Sequence, residues 1–194
     1  MVCNRPAHDR NHAWRIIDVG TGTGCLLISL LLELPRAVGL GVDLSQDALS
    51  VARDNADRLG VAGRSRWKFS DYLAEVDETF DILISNPPYI PTAQIAYLNS
   101  TVRLFDPHAA LDGGYDGLEG YRAIGSRALN VIPSGLMILE TADNDQSRVS
   151  EVLLEAMDGR RARVIGSWND MAGIGRSVAI ETLPCGKDEK ELDS

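Results

Sequence analysis

A β-rich run, Trp14 to Val19, breaks at Gly20. Gly22 and Gly24 follow at alternate positions, and an apolar stretch then runs from Cys25 to Leu34. Three glycines between a strand and a helix let the backbone turn tightly and approach a ligand, because glycine lacks a Cβ and tolerates positive φ. The rest of the chain keeps the same alternation of short β-rich runs and helical stretches, which predicts an α/β sheet. Further strands are expected at Ala37–Val42, Arg66–Ser70, Phe80–Ser85 and Leu136–Glu140. Two more, near Ala162–Trp168 and Ser177–Thr182, are expected to pair antiparallel at the sheet edge. The fold class expected is therefore α/β, with a mostly parallel seven-stranded sheet and an antiparallel edge.

Helices are expected over Cys25–Leu34, which reads as buried and is stopped by Pro35, and over Gln46–Leu59. In the second, Ser45 is the N-cap and Gly60 the C-cap, and Ala48, Leu49, Ala52, Ala56 and Leu59 form an apolar stripe. Two more are expected over Leu118–Val131 and Gln146–Met157. The stretch from Ile90 to Gly117 has little periodicity and reads as a long loop, which in a compact domain is usually functional or disordered. Residues 1–13 read as a polar segment, 14–184 as one domain, and 185–194 as a charged, disordered tail.

The net charge of -9 argues against a broad phosphate-binding surface, so no direct nucleic-acid binding is expected. Cys3, Cys25 and Cys185 lie far apart without a CxxC pair, so no metal site and no disulfide framework are expected. His8 and His12 read as a surface pair. The longest apolar stretch, Cys25 to Leu32, is far short of the roughly 20 residues a membrane helix needs, and no signal peptide is visible. These readings lead to an expectation of a cytoplasmic protein without membrane contact.

In open α/β sheets, ligands sit outside the carboxyl ends of the strands. The turn Gly20-Thr21-Gly22-Thr23-Gly24 lies there, and Asp43 closes strand two, where a carboxylate can accept both hydroxyls of a ribose. Asp18 adds negative charge that suits a cationic sulfonium and an α-amino group. Asp71 and Tyr72, after strand three, are placed for an adenine amine and ring face. The third glycine comes one residue too early for the NAD fingerprint, and Cys25 fills the position NAD requires.

Asn86-Pro87-Pro88-Tyr89 follows strand four at once. An amide or exocyclic amine is a poor nucleophile because its lone pair is delocalised. Two acceptors gripping its N–H protons would aim that lone pair at a methyl carbon. Asn86 offers a side-chain oxygen, and Pro87 a backbone carbonyl on a stiffened chain. Tyr89 offers a flat face for a planar group, beside Pro88. No general base is required before transfer, since the methylated nitrogen is acidic. With the donor turn, these residues point to S-adenosylmethionine as cofactor. Asn86, Pro87 and Tyr89 are the catalytic candidates. Asn86 to Tyr89 are the substrate-binding candidates, with Asn86 also near the donor.

The donor turn, Asp43 and Ser85-Asn86-Pro87-Pro88-Tyr89-Ile90 resemble Rossmann-like class I methyltransferases that act on amino or amide nitrogen. The stretch Arg103 to Leu118, Tyr121-Arg122, and Asp170 to Arg176 are similar to the HemK/PrmC family, peptide chain release factor glutamine N5-methyltransferases. The resemblance runs from Arg15 to Glu181. It implies donor binding by Gly20 to Gly24, Asp43 and Tyr72. It implies that Asn86 to Tyr89 hold a glutamine of a release factor's Gly-Gly-Gln motif, making the release factor the protein partner. Other protein glutamines (in a ribosomal protein, for example), nucleic-acid adenine N6 and an inactive donor-binding remnant are the alternatives. The family usually has Glu-Ile-Gly-x-x-Gln after strand five; here Glu140 to Gln146 is longer and lacks the glycine. The family also carries an N-terminal helical domain. About a dozen residues precede strand one here, so a fragment, an isolated catalytic domain or a shortened paralogue is expected.

Overall fold

A computed structural model describes residues 10–99, 107–157 and 161–184. The elements within them are β1 (Arg15–Val19), α1 (Cys25–Glu33), β2 (Val38–Asp43), α2 (Gln46–Arg58), β3 (Ser65–Phe69), β4 (Ile82–Ser85), α3 (Thr92–Ile95), α4 (His108–Leu111), α5 (Glu119–Val131), β5 (Gly135–Glu140), α6 (Gln146–Ala156), β6 (Ala162–Asn169) and β7 (Gly175–Thr182). A short 3-10 turn, Ala62–Arg64, leads into β3. The seven strands form one sheet in the order β3-β2-β1-β4-β5-β7-β6. The first five are parallel. Strand β7 runs antiparallel between β5 and β6, as the α/β expectation with an antiparallel edge required. Strand order reverses between β1 and β4, which opens a crevice at their carboxyl ends.

Strand β1 shows why the sheet is covered on both faces. Ile17 and Val19 enter one core cluster with Tyr121, Ile124 and Ala128 of α5 and Val149 and Leu153 of α6. Ile16 enters the other cluster with Leu27, Ile28 and Leu31 of α1. Successive side chains point to opposite faces, so a continuous apolar run is buried only between two helical layers. The same geometry corrects the expectation of a buried α1. It packs one face on the sheet, and Leu26 and Leu32 stand exposed on the other.

Helix α2 starts where the sequence placed it, with Ser45 Oγ accepting from Ala48 N at 3.1 Å. Gly60 takes φ 73 just past its end, and Leu49, Ala52 and Ala56 are buried. Leu59 is exposed: the helix stops at Arg58, and Leu59 is the C-cap residue beyond its last turn. The Ile90–Gly117 stretch contains α3 and α4, with Pro91 and Pro107 at their starts. One-turn helices are too short to show a 3.6-residue period. Cys25 is free and exposed; Cys3, Cys185, His8, Arg103 and the 185–194 tail lie outside the described residues. Among the described residues, no helix is long and apolar enough to cross a membrane.

Candidate active site

The donor turn folds by short-range hydrogen bonds. Gly24 N donates to Thr21 O at 2.9 Å, and Thr21 N to Val42 O at 2.9 Å. Gly22 N donates to Asp43 Oδ2 at 2.8 Å, while Ser45 N donates to Asp43 Oδ1 at 2.8 Å. Asp43 thus ties the end of β2 to the turn after β1. Asn55 Nδ2, from α2, donates to Thr23 O at 3.0 Å and holds the turn from the far side. Gly20 and Gly22 have φ of 68 and 55, and a Cβ on either would point into open space. The backbone conformation, together with that free space, is what a ligand lying on the turn requires. At Gly24 the reason differs: a Cβ would stand 2.8 Å from the Trp67 ring, so this glycine lets α1 close on the sheet.

Asp18 is buried beneath the turn. Thr21 Oγ1 donates to its Oδ2 at 2.6 Å, and its Oδ1 has no hydrogen-bond partner among the described residues. Burial pushes the Asp18 carboxyl up to about 6, against the pull of the Thr21 hydroxyl and the Leu27 backbone; the nearby Asp43 charge adds to the rise. A half-satisfied buried carboxylate is costly. A cationic group placed against it would relieve that cost, so the site fits a ligand with an ammonium or sulfonium. Thr21 is itself buried, with both its donors engaged, so its side chain supports Asp18 rather than facing the crevice. Thr23 is exposed at the turn.

After β3, Ser70 N donates to Asp43 O at 3.1 Å, which continues the same edge. Asp71 is exposed, and no helix follows that it could cap. Tyr72 takes φ 47, in the left-handed region, which turns its half-buried ring inward. A Cβ built on Gly120 of α5 would lie 3.0 Å from Tyr72 Oη and 3.1 Å from Pro87 Cβ. The bare backbone of Gly120 is therefore where the third-strand residue and the acceptor tetrapeptide meet. Burial, with the Asp71 and Glu119 charges, raises the Tyr72 phenol above its ordinary range.

Ser85 Oγ donates to Val19 O at 2.7 Å and pins the end of β4 to β1. Asn86 is then exposed, Pro87 buried, and Pro88 and Tyr89 half-buried. Among the described residues, neither Asn86 Oδ1 nor the Pro87 carbonyl accepts a hydrogen bond. Tyr89 packs on the larger core cluster. Burial and the Glu140 carboxylate raise its phenol, with Arg176 opposing.

The tetrapeptide is held from a distant part of the chain. Gly113 N donates to Ile90 O at 2.8 Å, Thr92 N to Gly114 O at 2.8 Å, and Thr92 Oγ1 to Asp112 Oδ1 at 2.6 Å. Gly117, at φ 79, lies so close to the Tyr89 carbonyl that any side chain there would collide with it. Asp116 accepts two hydrogen bonds from Arg122 at 3.0 and 2.6 Å, which anchors the loop to α5 and holds the Asp116 carboxyl at about 2. In the sequence Arg122 stands out only as part of the family-like stretch, with nothing to point to Asp116 as its partner. Sequence reasoning missed this pair, and it missed Tyr121 as a structural group. Tyr121 Oη donates to Glu140 O at 2.8 Å from beneath the site. The only sequence signal for either residue was their place in the family-like stretch.

The altered loop after β5 closes by other means than a glycine. Asn144 takes the left-handed conformation, φ 58, which asparagine tolerates better than most residues. Its N donates to Gly175 O at 3.0 Å and its Oδ1 accepts from Gly175 N at 3.0 Å. Arg176 pairs with Asp143 and, at 3.1 Å, with Asp170. The loop is thereby fastened to the start of β7.

The sheet order, the glycine turn and the crevice define a class I methyltransferase fold. A methyltransferase from Pyrococcus furiosus superposes with a TM-score of 0.62 at 18% identity, covering 90% of this chain and 77% of that one. The methyltransferase small domain model matches residues 6–108, and the chain belongs to that family. The release factor glutamine methyltransferase of Bradyrhizobium diazoefficiens is 46% identical over 173 residues, 88% of this chain and 57% of that protein. The protein of the same name from Cereibacter sphaeroides is 45% identical over 165 residues, 84% of this chain and 58% of that one. The chain thus spans less than two thirds of the length of these relatives, and the resemblance to this group drawn from the motifs is borne out.

Proposed function

We propose that the chain methylates the side-chain amide nitrogen of a glutamine in a peptide chain release factor, with S-adenosylmethionine as donor. One observation carries this reading: two unclaimed acceptors, Asn86 Oδ1 and the Pro87 carbonyl, stand at the switch point beside a turn built for a cationic ligand. The likeness to proteins named release factor glutamine methyltransferase supports the choice of substrate. The cytoplasm, where release factors work, is the compartment that goes with it.

When bound, the donor supplies an electrophilic methyl on sulfonium sulfur. Gly20, Gly22, Thr23 and Gly24 offer backbone to the donor. Asp18, oriented by Thr21, faces its positive charge. Asp43 receives the ribose hydroxyls on lone pairs left free by Gly22 and Ser45, with Asp71 and Tyr72 flanking the base. Asn86 and Pro87 grip the two amide N–H protons, so the nitrogen lone pair points toward the donor side. Tyr89 and Pro88 bound the planar amide. Orientation of this kind supplies several kcal/mol of barrier reduction without a base acting first.

The test is calorimetric titration of the donor, followed by mass spectrometry of a release factor incubated with chain and donor. Donor binding with a single added methyl on the Gly-Gly-Gln glutamine is the expected result. Donor binding with no methyl on that glutamine would overturn the substrate assignment, and no donor binding to the folded chain would overturn the whole reading.

A further inference from the structure

Glu140 closes β5 one position beyond the Ser85–Leu139 pair of the parallel β4–β5 register, so it stands beside Asn86 at the same end of the sheet. Strands β1, β2 and β3 lie on one side of β4, and β5 lies on the other. The donor turn, Asp43 and Tyr72 are therefore on one flank of Asn86, and Glu140 is on the opposite flank. The Glu140 backbone is fixed by the Tyr121 hydroxyl at 2.8 Å. Its half-buried carboxylate accepts no hydrogen bond among the described residues.

The groups around it come from several elements. Arg176 of β7, Tyr89 of the acceptor segment and Tyr121 of α5 are close enough to couple electrostatically with it. Asp143 acts on the same Tyr89, and Asp145 on the same Tyr121. Burial raises the Glu140 carboxyl above its ordinary range, and Arg176 pulls it back. The two groups that grip the target amide are themselves amide oxygens, which are far too weakly basic to keep a proton. A carboxylate at the end of the neighbouring strand, on the flank opposite the glycine turn, has the basicity they lack.

We propose that Glu140 accepts the proton that the target amide nitrogen sheds on methylation. This rests on the glutamine-methylation reading above. The nitrogen lone pair forms the new N–C bond as the S–C bond breaks, and the electron pair of that bond stays on sulfur, which leaves as a neutral thioether. The nitrogen then carries the positive charge and two hydrogens. One passes to a Glu140 oxygen, giving a neutral N-methyl amide and a carboxylic acid, and the acid returns its proton to water.

The experiment compares Glu140→Gln and Glu140→Asp with the parent chain on a glutamine-bearing release-factor peptide. Glu140→Gln should lower kcat about 10–100-fold, at the lower end of acid–base effects because the proton leaves late, with KM and donor Kd within about threefold. With the donor saturating at every pH, so that Asp18 does not enter, the parent rate should fall on the acid side as Glu140 protonates, and that limb should vanish in Glu140→Gln. Glu140→Asp should recover part of the rate. A readout free of turnover is the 13C signal of the Glu140 carboxyl, assigned by its loss in Glu140→Gln. It should titrate above an ordinary glutamate and shift when peptide binds in the presence of the demethylated donor. Parent turnover with an unchanged rate and acid limb in Glu140→Gln overturns this proposal alone, as does a carboxyl signal unmoved by a bound peptide. A parent chain that binds donor but neither binds nor methylates the peptide overturns both this proposal and the substrate assignment.

Discussion

The donor turn and the acceptor tetrapeptide end neighbouring strands, yet they are held in opposite ways. The donor half is local: Asp18, Thr21, Gly22 and Asp43 bond to one another and to the strand ends that carry them. The acceptor half borrows its shape from far along the chain. Gly113, Gly114 and Gly117 clasp residues 88–92, and Arg122 anchors their loop through Asp116. A ligand site that many proteins share can be assembled from adjacent turns. The proposed amide site is instead shaped by a loop that can vary independently of the sheet.

This contrast breaks most sharply at the two signature side chains. Asn86→Ala should reduce turnover by about a thousandfold, the scale of removing one orienting or stabilising group, while donor Kd changes by no more than about threefold. Asp43→Ala should do the reverse in calorimetry, weakening the donor by roughly 30–100-fold, because it loses the proposed ribose acceptor and the Gly22 tether together. Comparable donor losses in both variants would mean that the two halves are one site energetically, not two.

A smaller effect comes from Asp18. Its carboxyl sits at about 6 when folded, against about 3.8 for an ordinary aspartate. The folded chain therefore holds a proton that the unfolded chain has shed between those values. Stability of the ligand-free protein is greatest below about 3.8 on this account and falls as pH rises through about 6, by on the order of 2–3 kcal/mol. Donor binding has the opposite sign. It should tighten about tenfold from pH 5 to 7 as Asp18 ionises against a cation, and an Asp18→Asn chain should lose that slope. Urea melts and calorimetry across the range check both halves. The smallest effect is expected for Arg122→Ala. An exposed pair contributes little to folding, so stability should drop by less than about 1 kcal/mol, while KM for the protein substrate rises severalfold and donor Kd stays unchanged.

The local half was the legible half. Ser45 as N-cap, Gly60 past the end of α2 and Asp43 at the end of β2 are short-range chemistry, and each appears in place. The strand assignments held to within a residue or two, and the antiparallel edge held as well. The misreadings were long-range. Leu59 fitted a helical stripe but lies past the last turn, and Leu26 and Leu32 belong to an apolar run of which the sheet covers one face. The Arg122–Asp116 pair was not legible, because Asp116 sits in a loop with no periodic pattern.

By itself the sequence determined the strand–turn–helix order, the glycine turn, and the proline-stiffened acceptor segment. These follow from φ/ψ limits and side-chain periodicity, which act over a few residues. Only the tertiary structure decided which groups share the crevice. Tyr72 meets Pro87 across the bare backbone of Gly120, and Asn144 takes the turn in a loop that lacks the family's glycine. Glu140 reaches the flank of Asn86 because β5 pairs with β4. Strand order is set by burying two faces of one sheet at once, and no short window of sequence carries that information.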